Sequence, residues 1–370
     1  MYCYKCGKEI SDDSSFCNYC GTKVVNIEKT TNNERNPVLN SPDDITPELL
    51  DRIARNDLDS LTINYEFTSS VNLHDDNQSK IWEQERLKIN PFWIVNKTIK
   101  PIKNITFEIK FTTKVTSLAY AFYLFQELES LNIKDTSSIT NMEAMFLYAR
   151  EFNSDISNWD TSKVTNMNEM FGSTFKFNQA IGNWDTSKVI SMTRMFEDAK
   201  SFNQPIGNWN TSCVNNMKGM FSGARLFNQP IEFWDTSFVI DMSCMFCDAT
   251  FFNQPIGNWD TSNVTDMTYM FYNATSFNQP IGNWNISGVT SMEGMFKNAK
   301  SFNQPIGNWN TSNVMYMDRM FEDAHSFNQP IGNWDTSKAV YYSGPLFSRN
   351  LNNMFNGATS YSYPKPRGAK

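Results

Sequence analysis

Residues 202–226 read FNQPIGNWNTSCVNNMKGMFSGARL, and the same 25-residue phrase, with substitutions, runs through most of a 370-residue chain. Its tryptophan, Trp209, recurs as Trp159, Trp184, Trp234, Trp259, Trp284, Trp309 and Trp334, so eight of the ten tryptophans are spaced by 25 residues without a gap. A fixed period of this length is the signature of supersecondary units stacked in series. The 29 Phe and 19 Met are therefore properties of one unit copied many times.

Within that copy the apolar positions are Phe202, Ile206, Trp209, Val214, Met217, Met220, Phe221 and Ala224. From Val214 onward the spacing follows a period near 3.6 residues and predicts a short helix over residues 213–224. The Asp/Asn-Thr-Ser triplet before it reads as a helix start, with Ser212 and its counterparts as capping hydroxyls. Pro205 and Gly207 leave only about three residues around Trp209 for a strand. Eight apolar side chains cannot offset the entropy of ordering 25 residues, so one unit does not stand alone and neighbours must stack. The expected fold class is an α/β solenoid, each coil a short strand plus a short helix.

The composite unit FNQPIGNWDTSKVTNMNEMF resembles the 25-residue repeat of the BspA-like leucine-rich-repeat surface proteins, over residues 113–337, counting degenerate copies at 113–126 and 127–151. The resemblance implies a right-handed, leucine-rich-repeat-like array used for adhesion or protein binding, displayed on a cell surface.

Four of the seven cysteines, Cys3, Cys6, Cys17 and Cys20, form two C-x-x-C pairs in the first twenty residues, each followed by glycine, Gly7 and Gly21. Two such turns present four thiolates in a tetrahedron and predict one structural Zn2+ with no open coordination site. The alternative, two disulfides, needs an oxidising compartment. The segment YCYKCGKEISDDSSFCNYCGTKV resembles the short zinc-ribbon module at the start of many bacterial proteins.

The expected organisation is a zinc ribbon at 1–24, a flexible linker at 25–47, a unique segment and amino-terminal cap at 48–112, tandem repeats at 113–337, and a carboxy-terminal cap with a disordered tail at 338–370. In the unique segment, ITPELLDRIARNDLDSL predicts a helix, and the alternation Ile105, Phe107, Ile109, Phe111 predicts a strand over 104–111.

Two amide rows stand out: Asn153, Asn178, Asn203 and their counterparts, and Asn158, Asn183, Asn208 and theirs. Both are expected to bond adjacent coils rather than bind a ligand. The aspartate row Asp160, Asp185, Asp235, Asp260 and Asp335 has Asn at the same place in other copies, which favours hydrogen bonding over calcium. Binding specificity is expected where copies differ: Arg194, Gly219, Cys244, Tyr269, Gly294 and Arg319, and three residues on, Glu197, Ser222, Cys247, Tyr272, Lys297 and Glu322. From these, Arg194, Glu197, Tyr269, Tyr272, Lys297 and Arg319 are the candidate partner-binding residues. Cys244 and Cys247 make a third C-x-x-C, read as two surface substitutions, with a redox pair or a metal site as the alternatives. Glu232-Phe233 replaces Gly-Asn and is a local break.

The net charge of −7 lies in the repeats, where residues 152–335 carry 10 Lys and Arg against 17 Asp and Glu. An acidic surface repels a polyphosphate backbone, so no nucleic-acid partner is expected. No stretch is apolar enough to span a bilayer, and the terminus MYCYKC lacks the pattern of a secretory signal. The expected location is the cytoplasm, with the cell surface as the alternative that the resemblance implies. Only His74 and His325 exist, and no nucleophile elbow, phosphate loop or zincin motif occurs, so no catalytic residue is expected. The sequence points to a non-enzymatic scaffold binding a protein partner. The alternative is a spacer array presenting the zinc ribbon to a partner.

Overall fold

Residues 217–224 use every backbone N–H without forming a helix. The N–H groups of Met217, Gly219, Phe221 and Gly223 donate to carbonyls of the next coil, Asp241, Ser243, Met245 and Cys247, at 2.7–3.0 Å. Those of Met220, Ser222 and Ala224 donate three residues back, to Met217, Gly219 and Phe221, at 3.0–3.1 Å. Lys218 N–H is taken by the side-chain oxygen of Asn216 at 2.9 Å. With each N–H satisfied in this way, the segment is a run of overlapping β-turns, and nothing is left over to make i→i−4 bonds. In this computed structural model the described residues are 115–126, 128, 130–133, 135–339 and 351–367, with Leu49 and the backbones of 38–39, 61–67, 105–111, 342–344 and 347–349.

The predicted helix is thus corrected to turns. Turns that advance three to four residues each give the same apolar spacing as a helix, which is why Val214, Met217, Phe221 and Ala224 misled. Left-handed backbone at Gly219 (φ 59°) and Gly223 (φ 69°) supplies the positive third-residue φ that a type II turn requires and a helix forbids. The predicted strand around Trp209 is also displaced. Parallel bridges run instead through Ser117, Asn141, Asn166, Ser191, Asn216, Asp241, Asp266, Ser291 and Tyr316, inside the stretch read as helix.

The interior is built of columns. Phe196, Phe221 and Phe246 stack at 5.6 and 5.8 Å between coils, and each pairs with a second column, as Phe221 does with Phe227 at 3.9 Å. Trp209 and Trp234 lie 6.3 Å apart and within 4° of parallel. From Trp184 to Trp334 each indole N–H donates to an isoleucine carbonyl of the preceding coil, Trp209 Nε1 to Ile181 O at 3.0 Å. The tryptophans are rungs of the core.

Polar rows stitch the same coils from outside. The N–H of each Asn in the first row donates to the side-chain oxygen of its predecessor, Asn178 to Asn153, Asn203 to Asn178, and so on to Asn328, at 2.8–2.9 Å. The threonine of the Asp-Thr-Ser triplet was not singled out in the sequence, yet Thr211 Oγ1 donates to Asp235 O of the next coil at 2.9 Å and is buried. Ile286 takes this place in one copy and cannot make the bond. Gly207 is required by close approach: a Cβ there would stand 2.6 Å from Pro230 O of the next coil.

At the amino-terminal end, β1 (Val38–Leu39), β2 (Leu61–Phe67), β3 (Ile105–Phe111) and β4 (Ser130–Ile133) form a parallel sheet in that order. The predicted strand is β3. Because β4 belongs to the degenerate repeat at 127–151, the sheet runs on into the repeat array. Val38–Leu39 falls within the expected linker and pairs with Thr62 and Ile63. The predicted helix after Thr46 lies outside the described residues except for Leu49.

At the other end, β5 (Tyr342–Gly344) and β6 (Phe347–Arg349) form an antiparallel hairpin. The stack then resumes: Phe321 N–H donates to Met354 O at 2.9 Å and Phe355 stacks on Phe321 at 5.6 Å. Where a disordered tail is expected, residues 361–367 lay down part of a last coil. Tyr361 stacks on Phe327, Ser362 N–H takes the Asn328 oxygen, and Arg367 O accepts from Thr336.

Candidate functional site

Each aspartate of the exposed row accepts from the N–H of the serine two residues on, as Asp185 does from Ser187 at 2.9 Å. Serine is therefore the donor and Asp the cap, the reverse of the expected roles, and the cap closes a turn rather than a helix. Where the acceptor is Asn210, Asn285 or Asn310 the bond lengthens to 3.1–3.2 Å, as a neutral acceptor should. Hydrogen bonds from the Ser187 side chain and backbone hold the Asp185 carboxyl below the ordinary aspartate value, and Ser162 and Ser262 do the same for Asp160 and Asp260. A folded pKa below the unfolded one adds stability that is complete above the unfolded value of about 3.9 and is lost as pH falls through the folded value. Asp185→Asn is expected to lower the melting temperature slightly at pH 7 and to converge on the parent as pH falls through the folded value of the carboxyl, checked by thermal unfolding from neutral to acid pH.

The second amide row is not a coil-to-coil ladder. Asn158, Asn183, Asn208, Asn258 and Asn283 are exposed, and among the described residues only Asn333 reaches a neighbouring coil, at a long 3.4 Å to Gly307 O. At the carboxy-terminal end this row borders an open groove of about 720 Å³ lined by Pro305, Asn308, Gln329, Pro330, Asn333 and Tyr363.

The variable columns share one face of the stack, running from coil to coil. Arg194, Cys244, Tyr269 and Arg319 all sit in left-handed backbone, at φ 52–57°, beside Gly219 and Gly294 in the same column. Four residues further on, a second left-handed column reads Asp198, Gly223, Asp248, Asn273, Asn298 and Asp323. Gly, Asn and Asp are the residues that accept this conformation, so this column carries a signal for turns in the sequence itself. A consequence is that the partner-binding candidates stand on turns, not on a helix surface.

Three groups form along this face. Arg194 bridges Glu169 at 3.5 Å and Glu197 at 3.8 Å; burial pushes the Glu197 carboxyl up and the guanidinium opposes it. Tyr269 and Tyr272 cross edge to face at 5.7 Å, and the Tyr269 ring lies over Gly294, where a Cβ would collide with it. Lys297 and Arg319 converge on Glu322 at 2.9 and 3.7 Å. Arg194 with Glu197, Tyr269 with Tyr272, and Lys297 with Arg319 are thus brought together in pairs, and the small pair Gly219 and Ser222 separates the first from the rest.

One coil carries a feature that sequence reasoning caught only at Glu232-Phe233. Phe233 is 85% exposed and Phe238 64%, and Ile240, Leu226 and Phe251 are also exposed large apolar residues. These five fall within residues 226–251. The signal was again departure from the other copies: no other copy has an aromatic residue opposite Phe233 or Phe238, where Asn and Lys are the commonest residues.

The cysteines Cys3, Cys6, Cys17 and Cys20 lie outside the described residues. Their donor set, four thiolates in two C-x-x-C turns, is the set that Zn2+ takes in closed structural sites. Among the described residues no group of three or more His, Cys, Asp or Glu could hold a metal, and no helix is long and apolar enough to cross a membrane.

Residues 2–24 match the zinc-ribbon domain. Searches of curated proteins and of solved structures find no match. The repeat array is matched over residues 116–223, 203–300 and 277–365, most of the chain, which therefore belongs to the family described as Mycoplasma protein of unknown function, DUF285.

Proposed function

We propose that the chain is a non-enzymatic scaffold whose turn face binds a protein partner. The observation that carries this reading is a division of labour between columns. Among the residues that recur from copy to copy, the Asn153 row and, but for Ile286, the Thr211 row are consumed in joining coils, while the variable side chains of the two turn columns stand together on one accessible face. Paired aromatics and arginines are the residue types that dominate protein interfaces, and the exposed apolar coil at 226–251 adds surface that a single solvated molecule does not need. The zinc ribbon serves as a structural module holding one Zn2+ through Cys3, Cys6, Cys17 and Cys20.

In finer terms, our reading is a right-handed array of the BspA-like, leucine-rich-repeat-like type. We place it in the cytoplasm; fractionation that recovers the chain with the cell envelope would replace that location by the cell surface and favour adhesion.

The test is cross-linked capture of the partner by the full chain. Replacing Tyr269, Tyr272, Lys297 and Arg319 together by serine should reduce recovery of the captured protein by about tenfold or more, the loss expected of two or more interface anchors. The same number of serines at Asn183, Asn208, Asn258 and Asn283 should leave recovery unchanged. Equal recovery from all three proteins, with loss only on deleting residues 1–24, would instead establish the array as a spacer for the ribbon.

A further inference from the structure

Two positions of the coil, three residues apart, hold side chains that meet. Arg194 and Glu197 pair at 3.8 Å, Arg319 and Glu322 at 3.7 Å, and the rings of Tyr269 and Tyr272 cross at 5.7 Å. The backbone cause is one hydrogen-bonded turn: Glu197 N–H donates to Arg194 O, Tyr272 to Tyr269 and Glu322 to Arg319, at 3.0–3.1 Å. In the coil at 242–248 these same two positions are Cys244 and Cys247, with the same turn bond at 3.1 Å, and both thiols are free and half-buried. The ends of such a turn lie within about 7 Å, and a disulfide spans Cα atoms about 4.4–6.8 Å apart. The turn therefore brings the two cysteines into the range of separations that a disulfide spans.

We propose that Cys244 and Cys247 form a thiol–disulfide exchange site whose substrate is a low-molecular-weight disulfide, with Cys244 the attacking sulfur and Cys247 the resolving one. The order follows from what surrounds each thiol. Hydrogen bonding with the Cys247 side chain, helped by the positive charge of Lys218 of the preceding coil, holds the Cys244 thiol below its ordinary value despite partial burial. Cys247, tied to Cys244, half-buried and 3.5 Å from the Asp248 carboxylate, is pushed far above it. The thiolate is the nucleophile in such exchanges.

The Cys244 thiolate attacks one sulfur of RS–SR, forming a Cys244–S–SR bond and expelling RS⁻, which takes a proton from water. Cys247 then releases its proton, and its sulfur attacks Cys244 Sγ, forming the Cys244–Cys247 bond and expelling the second RS⁻. The protein gives up two protons and two electrons, and RS–SR becomes two RSH.

The test uses the zinc-loaded full chain, oxidised glutathione and mass mapping of the tryptic peptide 226–297, which contains these two cysteines and no other. In the parent chain that peptide should lose two hydrogens and resist alkylation, while the exposed Cys213 carries a simple glutathione adduct. Cys247→Ser should trap one glutathione on Cys244, at least about tenfold faster than Cys244→Ser traps one on Cys247. Two separate adducts on the parent peptide, or two thiols still open to alkylation when Cys213 has reacted, would overturn the site. Equal trapping rates in the two variants would overturn the assignment of attacking and resolving sulfurs.

Discussion

Phe246→Ala is expected to cost the array about 3–5 kcal/mol and to split its unfolding into two transitions. Phe246 is fully buried and touches aromatic rings on every side: Phe252 at 3.9 Å in its own coil, Phe221 and Phe271 at 5.8 and 5.7 Å in the flanking coils, and Trp259 at 6.2 Å. Removing the ring deletes contacts to both neighbours at once, and the coil-to-coil hydrogen bonds hold the backbone so that the cavity cannot collapse. A stack is stabilised chiefly through nearest neighbours, so a weak joint in the middle uncouples the halves. Phe355→Ala at the carboxy-terminal end, where Phe321 and Tyr361 are the aromatic neighbours, should fray one coil and leave the main transition single. Urea unfolding followed by tryptophan fluorescence distinguishes them. A loss below about 1 kcal/mol at Phe246, or the same behaviour at both ends and middle, would refute nearest-neighbour stacking as the source of stability.

Purified chain is expected to carry one Zn2+, and Cys3→Ser, Cys6→Ser, Cys17→Ser or Cys20→Ser should each abolish it. Binding in small structural sites is worth about 10–16 kcal/mol and is also the folding energy of the module. A segment of two dozen residues buries too little to fold without the ion. Chelation should therefore unfold residues 1–24 while the melting of the repeat array stays where it was, since the array offers no group of three or more ligands among its described residues. Metal analysis by mass spectrometry and calorimetry with and without chelator checks both halves. A chain free of zinc and four hydrogens lighter in this segment would show two disulfides instead.

Much of the array was legible in the sequence because repetition is a strong constraint. Once copies stack in phase, each residue type faces its own counterpart, so Phe221 had to meet Phe196 and Phe246, and Asn178 had to meet Asn153. Apolar identity then marks the core and polar identity marks the joints. The candidate face was legible by the same logic in reverse, since Arg194, Tyr269 and Lys297 are positions the stack leaves free to vary. What misled was local reasoning. A period of three to four residues fits a helix and a chain of type II turns equally well, and the Asp/Asn column four residues past Arg194, read for left-handed tolerance, would have separated them. The serine of Asp-Thr-Ser looks like a capping acceptor in isolation, but it is a donor: its N–H, joined by its hydroxyl, meets the side-chain oxygen two residues back, as Ser237 does with Asp235.

The sequence by itself determined that 25-residue coils stack, which side chains form the columns within, and where the copies diverge. Only the tertiary structure decided the conformation of each coil. The reason is that the partners of Met217, Gly219, Phe221 and Gly223 N–H lie 24 residues ahead, in the next coil. A segment whose hydrogen bonds are made to its neighbour need not make them to itself, and no local pattern records which of the two it does.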